Sequence, residues 1–248
     1  MASPRHLARA PIVEAIFDVR TVLPPGSDPL TLRRLGEGQR DRYPVLEERH
    51  GLRTFFELGP GQAPRSGTQE LGLEGVVLKT SDGLTQAQFR RDGFTLNRLR
   101  PYTAWETLLP EVERLWLIYL EGTTPDVVSR VAVRYINRLT LPFPLDDFRR
   151  YLTSPPGVPE SVPQAVSAFL TRVTVVDPAH ELAAHIVQAL EPSASETAVE
   201  VILDIDAFGQ RERGFAPEAI LSTFEQLREL KNAIFFGSIT ETAVEMYA

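Results

Sequence analysis

Cysteine is missing from all 248 residues of the chain, and lysine is nearly so. The first absence excludes disulfides, thiolate nucleophiles and cysteine-based zinc or iron–sulfur centres, and it agrees with a reducing compartment. No apolar run approaches the roughly 20 residues that span a bilayer, and Met-Ala-Ser-Pro-Arg is followed by no signal-like apolar core. The expectation is a cytoplasmic protein with no membrane contact. Lysine occurs twice against 24 arginines. GC-rich coding accounts for such a bias, and a preference for bidentate carboxylate or phosphate pairing would produce the same one.

A basic surplus is also missing. The net charge of −7 falls entirely on residues 126–248, with 10 Lys+Arg against 17 Asp+Glu, while residues 1–125 carry 16 of each. Bulk phosphate contact calls for the opposite sign, so direct nucleic-acid binding is not expected. There is no phosphate-cradling glycine loop, dinucleotide fingerprint or nucleophile elbow, and no cofactor is implied. His180-Glu-Leu-Ala-Ala-His185 spaces its imidazoles by five residues, where a zinc-protease helix needs four.

What is present is a strong strand signal at 130–141, Arg-Val-Ala-Val-Arg-Tyr-Ile-Asn-Arg-Leu-Thr-Leu. Val131, Val133, Tyr135, Asn137, Leu139 and Leu141 share one side of a period-two pattern, and Arg130, Arg134 and Arg138 lie on the other. Ahead of it, residues 11–20 alternate as a strand with Val13, Ala15, Phe17 and Val19 inward. Asp28 and Pro29 open a helix with Leu32 and Leu35 buried, stopped by Pro44. Residues 52–58, 71–80, 84–91 and 94–99 read as strands. A Gly/Pro-rich loop occupies 59–68, and Asp92-Gly93 marks a hairpin. Thr103-Ala-Trp-Glu106 reads as a capping box before a helix with Trp105, Leu108, Leu109, Val112, Leu115, Trp116 and Tyr119 on its apolar stripe and a kink at Pro110.

Beyond the 130–141 strand, Leu145, Phe148 and Leu152 space a short helix, and the proline-rich 154–163 reads as a rigid surface loop. Residues 165–176 and 198–207 alternate as strands. Pro217 starts a long helix ended by Gly237, and Ser238-Ile-Thr-Glu241 reads as a second capping box before a last short helix. Residues 181–190 fit either a capped helix or a strand. The order of elements decides for strand, because residues 1–125 then form a β-α-β4-α half and residues 126–248 a β-α-β3-α half with a C-terminal helix. The expected fold is α+β, with curved antiparallel sheets, long helices and two similar halves of TATA-binding-protein-like or helix-grip topology.

The late strand sets Glu200, Asp204 and Asp206 on one side. Paired with Arg134 and Arg138 they make a cross-strand ladder. Left free, they are a candidate set for Mg²⁺ or Mn²⁺. Tyr135 and Asn137 fall among apolar residues, where a buried amide must find partners or a ligand. The candidate ligand or interaction residues are therefore Arg134, Tyr135, Asn137, Arg138, Asp204 and Asp206, with no catalytic set.

With Arg134-Tyr-Ile-Asn-Arg138, Leu203-Asp-Ile-Asp206, Phe235-Phe-Gly-Ser-Ile-Thr240 and Pro11-Ile-Val-Glu-Ala-Ile-Phe-Asp-Val-Arg20 in view, the chain resembles a sporadically distributed bacterial family of unknown function and about this length. That resemblance implies mobile-cargo roles such as antitoxin or phage defence. The leading expectation is a non-enzymatic interaction protein whose acidic second half masks a basic protein partner, with a homodimer compatible. The alternatives are a small-molecule binder with a sheet–helix cavity, and a metal-dependent nuclease using Glu200, Asp204 and Asp206.

Overall fold

A computed structural model describes residues 2–57, 65–191 and 195–248, with the side chains of residues 57, 212 and 213 left aside. Nine strands form one sheet: β1 (Ile12–Val22), β2 (Val45–Glu57), β3 (Arg65–Lys79), β4 (Thr85–Arg90), β5 (Gly93–Leu99), β6 (Val127–Pro142), β7 (Leu170–Asp177), β8 (Leu182–Glu191) and β9 (Ala198–Phe215). The spatial order is β2-β3-β4-β5-β1-β6-β9-β8-β7, and every neighbouring pair is antiparallel. Strands from residues 1–125 thus lie on one side of the β1–β6 pair and strands from residues 126–248 on the other. The fold is α+β around a large antiparallel sheet, and the ambiguous 181–190 stretch is strand β8.

Four α-helices occur among the described residues: α1 (Leu30–Glu37), α2 (Trp105–Thr123), α3 (Ile220–Ser238) and α4 (Glu241–Glu245). The apolar stripe of α2 packs on the inward residues of β1, β4 and β5, and Trp105, Leu108, Val112, Leu115, Trp116 and Tyr119 are all buried. Phe17 of β1 meets Trp105 of α2 at 4.9 Å and Phe224 of α3 at 5.4 Å between ring centroids, so both long helices cover the same face. Alternation in β6 puts Val131, Val133, Tyr135, Asn137, Leu139 and Leu141 under them, each no more than 2% exposed. Burial of this kind, at about 25 cal/mol per Å² of apolar surface, is what holds helices and sheet together. The Asp92-Gly93 hairpin forms as expected: Gly93 has φ +145°, and a Cβ there would sit 2.0 Å from the Val19 carbonyl oxygen.

Several local expectations need correction. Thr103 caps nothing. The N-cap of α2 is Ala104, and Glu106 instead bonds Arg228 at 2.5 Å, tying α2 to α3. The second cap is Thr240, whose hydroxyl accepts from the Ala243 amide, while Ser238 belongs to α3 and bonds back to the Ile234 carbonyl. Gly237 lies inside the last turn of α3, with no positive φ to mark a C-cap. Of the loop expected at 59–68, residues 59–64 lie outside the described residues and Arg65–Thr68 pair with β2 as strand. The short helix near 148 is a single 3₁₀ turn, Phe148–Arg150, capped by Asp147. The strand expected from 165 begins at Leu170. Asp28 does serve α1, its carboxylate accepting from the Leu30 amide at 2.9 Å. The α2 helix runs through Pro110 in its second turn, where the missing amide leaves the Glu106 carbonyl without its helical donor.

Candidate functional site

The open face of the sheet, opposite the helices, carries the arginine ribbon of β6. Arg134 donates through Nε and Nη2 to Asp204 at 2.9 and 2.5 Å. Arg130 reaches both oxygens of Asp206 at 2.8 and 2.9 Å, and Arg138 lies 3.5 Å from Glu200 and 3.7 Å from Glu191. The expected ladder exists, but it is shifted. Asp206 stands opposite Arg134 in the register, yet Arg134 reaches along the strand to Asp204, and Arg130 takes Asp206. Arg138 consequently meets glutamates rather than either aspartate. Guanidinium stems are long enough for diagonal pairing, which period-two counting does not foresee.

The strongest knot on this face was not legible as a ladder. Asp18 of β1 is 8% exposed and accepts from Arg90 at 2.9 Å, Thr95 at 2.8 Å, Arg20 at 3.1 Å and Arg130 at 3.4 Å. Burial alone would raise its pKa. The guanidiniums of Arg90 and Arg20 and the Thr95 hydroxyl outweigh that and hold the carboxyl below its usual range. Charges on β4, β1, β6 and β9 are thereby chained across the β1–β6 pair. Among the described residues no three His, Asp or Glu side chains are arranged to hold a metal ion, and Glu200, Asp204 and Asp206 each face an arginine. His180 bonds Asp177 at 2.8 Å in a turn, while His185 on β8 bonds Thr174 at 2.9 Å, so the two imidazoles do not converge.

The other face holds a cavity of about 550 Å³ between the sheet and its long helices. Four pieces of chain build it: the N-terminal segment from Pro4 to Ile12, the start of α2 with Tyr102, the Arg228–Phe236 stretch of α3, and Tyr135 with Asn137 of β6. Arg228, Lys231, Asn232 and Phe235 recur at three and four residues, which sets them on one side of α3. Tyr102 and Tyr135 bring their hydroxyls to 3.2 Å with rings edge to face at 5.6 Å. Burial, the neighbouring phenol and their shared hydrogen bond push Tyr135 well above the normal phenol range.

Two side chains in this cavity are incompletely matched. Asn137 is 2% exposed; its Nδ2 donates to the carbonyls of Leu203 at 3.0 Å and Tyr135 at 3.3 Å, while its Oδ1 has no partner among the described residues. The half-buried Lys231 places Nζ 4.0 Å from the centroid of the Tyr135 ring and donates to Asn232 Oδ1 at 2.6 Å. No carboxylate pairs with it among the described residues. Desolvation first, and the Arg228 charge second, lower its amine from 10.5 to about 7. Arg228 itself is occupied by Glu106 at 2.5 Å and Glu225 at 3.6 Å, and Arg5 by Glu241 at 2.8 Å.

The six candidate residues are therefore divided by the sheet: Tyr135 and Asn137 line the cavity, and Arg134, Arg138, Asp204 and Asp206 sit in ion pairs on the opposite face. Sequence reasoning missed Lys231, Tyr102 and His6, which also line the cavity. A signal for Lys231 was present, since it is one of two lysines and sits three residues after Arg228 in an amphipathic helix. Set against models of known protein families, curated proteins and solved structures, the chain matches none. No helix among the described residues is long and apolar enough to cross a membrane.

Proposed function

We propose that the chain binds a small organic molecule, held between the sheet and its two long helices. The observation that carries this reading is Asn137, a 2%-exposed residue of the cavity lining whose amide oxygen accepts no hydrogen bond from the described residues. A ligand N–H or O–H would give that oxygen the donor it lacks. A volume near 550 Å³ suits this use, since small-molecule sites run from about 300 to 1,000 Å³ and combine apolar walls with a few convergent polar groups. Here Leu7, Trp105, Phe235 and Phe236 supply the walls, and Lys231, Tyr102, Tyr135 and Asn137 supply the polar groups.

Thermal-shift and calorimetric screening against small aromatic and aliphatic carboxylates, aldehydes and ketones tests it. The wild type should bind at least one class, and Ala8→Trp, at an exposed position on the cavity rim, should not, while keeping its stability within about 0.5 kcal/mol. Equal binding by both proteins, or binding by neither, refutes the reading.

The interaction-partner reading rests on the acidic surplus of residues 126–248, which lies outside the balanced Arg130, Arg134 and Arg138 pairs. Pairing of Glu200, Asp204 and Asp206 with those arginines takes the donor set from the nuclease reading. In topology, we read the order β2-β3-β4-β5-β1 followed by β6-β9-β8-β7 as two halves of TATA-binding-protein-like or helix-grip type. The mirrored order and one long helix per half support that kinship.

A further inference from the structure

We propose that Lys231 is a carbonyl-trapping amine, its Nζ condensing with an aldehyde or ketone group of the molecule held in the cavity to give an imine. The inference rests on the binding reading above and names the ligand's reactive group. Its first support is placement. Lys231 lines the cavity with Trp105, Phe235 and Phe236, lies against the face of Tyr135, and has one side-chain acceptor, Asn232, in hydrogen-bond reach among the described residues. A cation–π contact offsets only part of the cost of holding a charge there. The second support is residue choice. This chain uses arginine for 24 of its 26 basic residues, yet the cavity carries one of its two lysines. A guanidinium keeps its proton, whereas a desolvated amine beside another cation sheds it and becomes a nucleophile. The depressed titration of Lys231 agrees with that pattern.

The chemistry balances without a further reactant. The Nζ lone pair adds to the carbonyl carbon, and the carbonyl oxygen becomes the hydroxyl of a carbinolamine after one amine proton passes to it. A carbon–nitrogen double bond then forms as the hydroxyl leaves as water, taking the second amine proton. The paired hydroxyls of Tyr102 and Tyr135, 3.2 Å apart, line the same cavity as the amine and are the groups assigned to carry that proton. The Asn137 amide oxygen accepts from a donor elsewhere on the ligand and sets its orientation.

Benzaldehyde serves as the probe, with cyanoborohydride reducing any imine to a stable secondary amine and peptide mapping by mass spectrometry locating it. The full-length chain is treated at pH 7, and Lys79, which pairs with Glu47 at 2.6 Å, is the internal reference. The expected result is modification of Lys231 at least about ten-fold faster than Lys79, since an ordinary lysine is neutral in only about one part in a few thousand at pH 7. Ala8→Trp should suppress that preference. Lys231→Arg keeps the charge and should lose the adduct while still binding benzoate in calorimetry. Modification of Lys231 no faster than Lys79 overturns the proposal. If benzoate then still binds the wild type and not Ala8→Trp, only the imine is lost. If benzoate and the rest of the screened panel fail to bind, the cavity reading falls with it.

Discussion

The two faces of the sheet treat charge in opposite ways. On the open face the cations of β6 are each met by a carboxylate, from Arg130–Asp206 through Arg134–Asp204 to Arg138–Glu200. Under the helices an amine is desolvated with no carboxylate bonded to it among the described residues, since Glu106 of the same cavity is taken by Arg228, and the Asn137 amide oxygen accepts no hydrogen bond from them. A matched network supplies register and cohesion. An unmatched pair of polar groups beside an open volume is where a folded chain tolerates a local cost in exchange for a site. The comparison teaches that the more conspicuous charge pattern, the arginine ribbon, is the structural one, and that the inconspicuous lysine carries the chemistry.

The largest effect should come from the helix-covered side. Trp116→Ala, which empties a 2%-exposed position, should lower unfolding free energy in urea by about 3–5 kcal/mol. A loss under about 1 kcal/mol, far below that range, would mean α2 does not anchor that face. Next comes the knot on the open face. Asp18→Asn leaves Arg90 and its neighbours short of an anion and should cost about 3 kcal/mol at pH 7. The folded carboxyl titrates below its ordinary range, so its stabilisation is present above the unfolded value of about 3.9 and fades as pH falls through the folded one. Wild type and Asp18→Asn melts should therefore converge in strong acid, and a gap unchanged by acid would break the electrostatic account.

Lys231 should show a slope of the same sign, displaced to higher pH. Its folded pKa of about 7 lies below the ordinary value of 10.5, so the unfolded chain binds more protons between the two. Stability from this group must rise with pH across that interval and be lost as pH falls toward 7. Lys231→Met should flatten the difference between urea melts at pH 7 and pH 9, and a variant retaining the full slope would place the effect elsewhere. Smallest of all is the exposed end of the ladder. Arg134→Ala should cost about 0.2–1 kcal/mol in a chemical melt, because that guanidinium is 45% exposed.

Much of the fold was legible because alternation is a local signal. The inward set Ala15, Phe17 and Val19 and the β6 set from Val131 to Leu141 could be read directly, and the Asp92-Gly93 turn fixed a hairpin. Caps were less legible: Thr103 and Ser238 each matched a capping pattern, but tertiary pairing drew Glu106 to Arg228 and carried α3 through Ser238. Half of the candidate site was visible in Tyr135 and Asn137, since polar residues in an apolar row announce themselves. The other half was hidden. Lys231 and Tyr102 meet Tyr135 only after two helices distant in sequence cross the same strand, and no spacing along the chain encodes that meeting.

With lysine present at only two positions, selective ¹³C-lysine labelling gives two side-chain signals to follow by NMR as pH is raised. The account predicts that one of them, lost in Lys231→Met, titrates with a midpoint of about 7. Both signals titrating in the ordinary lysine range, near 10.4, would show the cavity amine to be solvated or paired and would contradict the account.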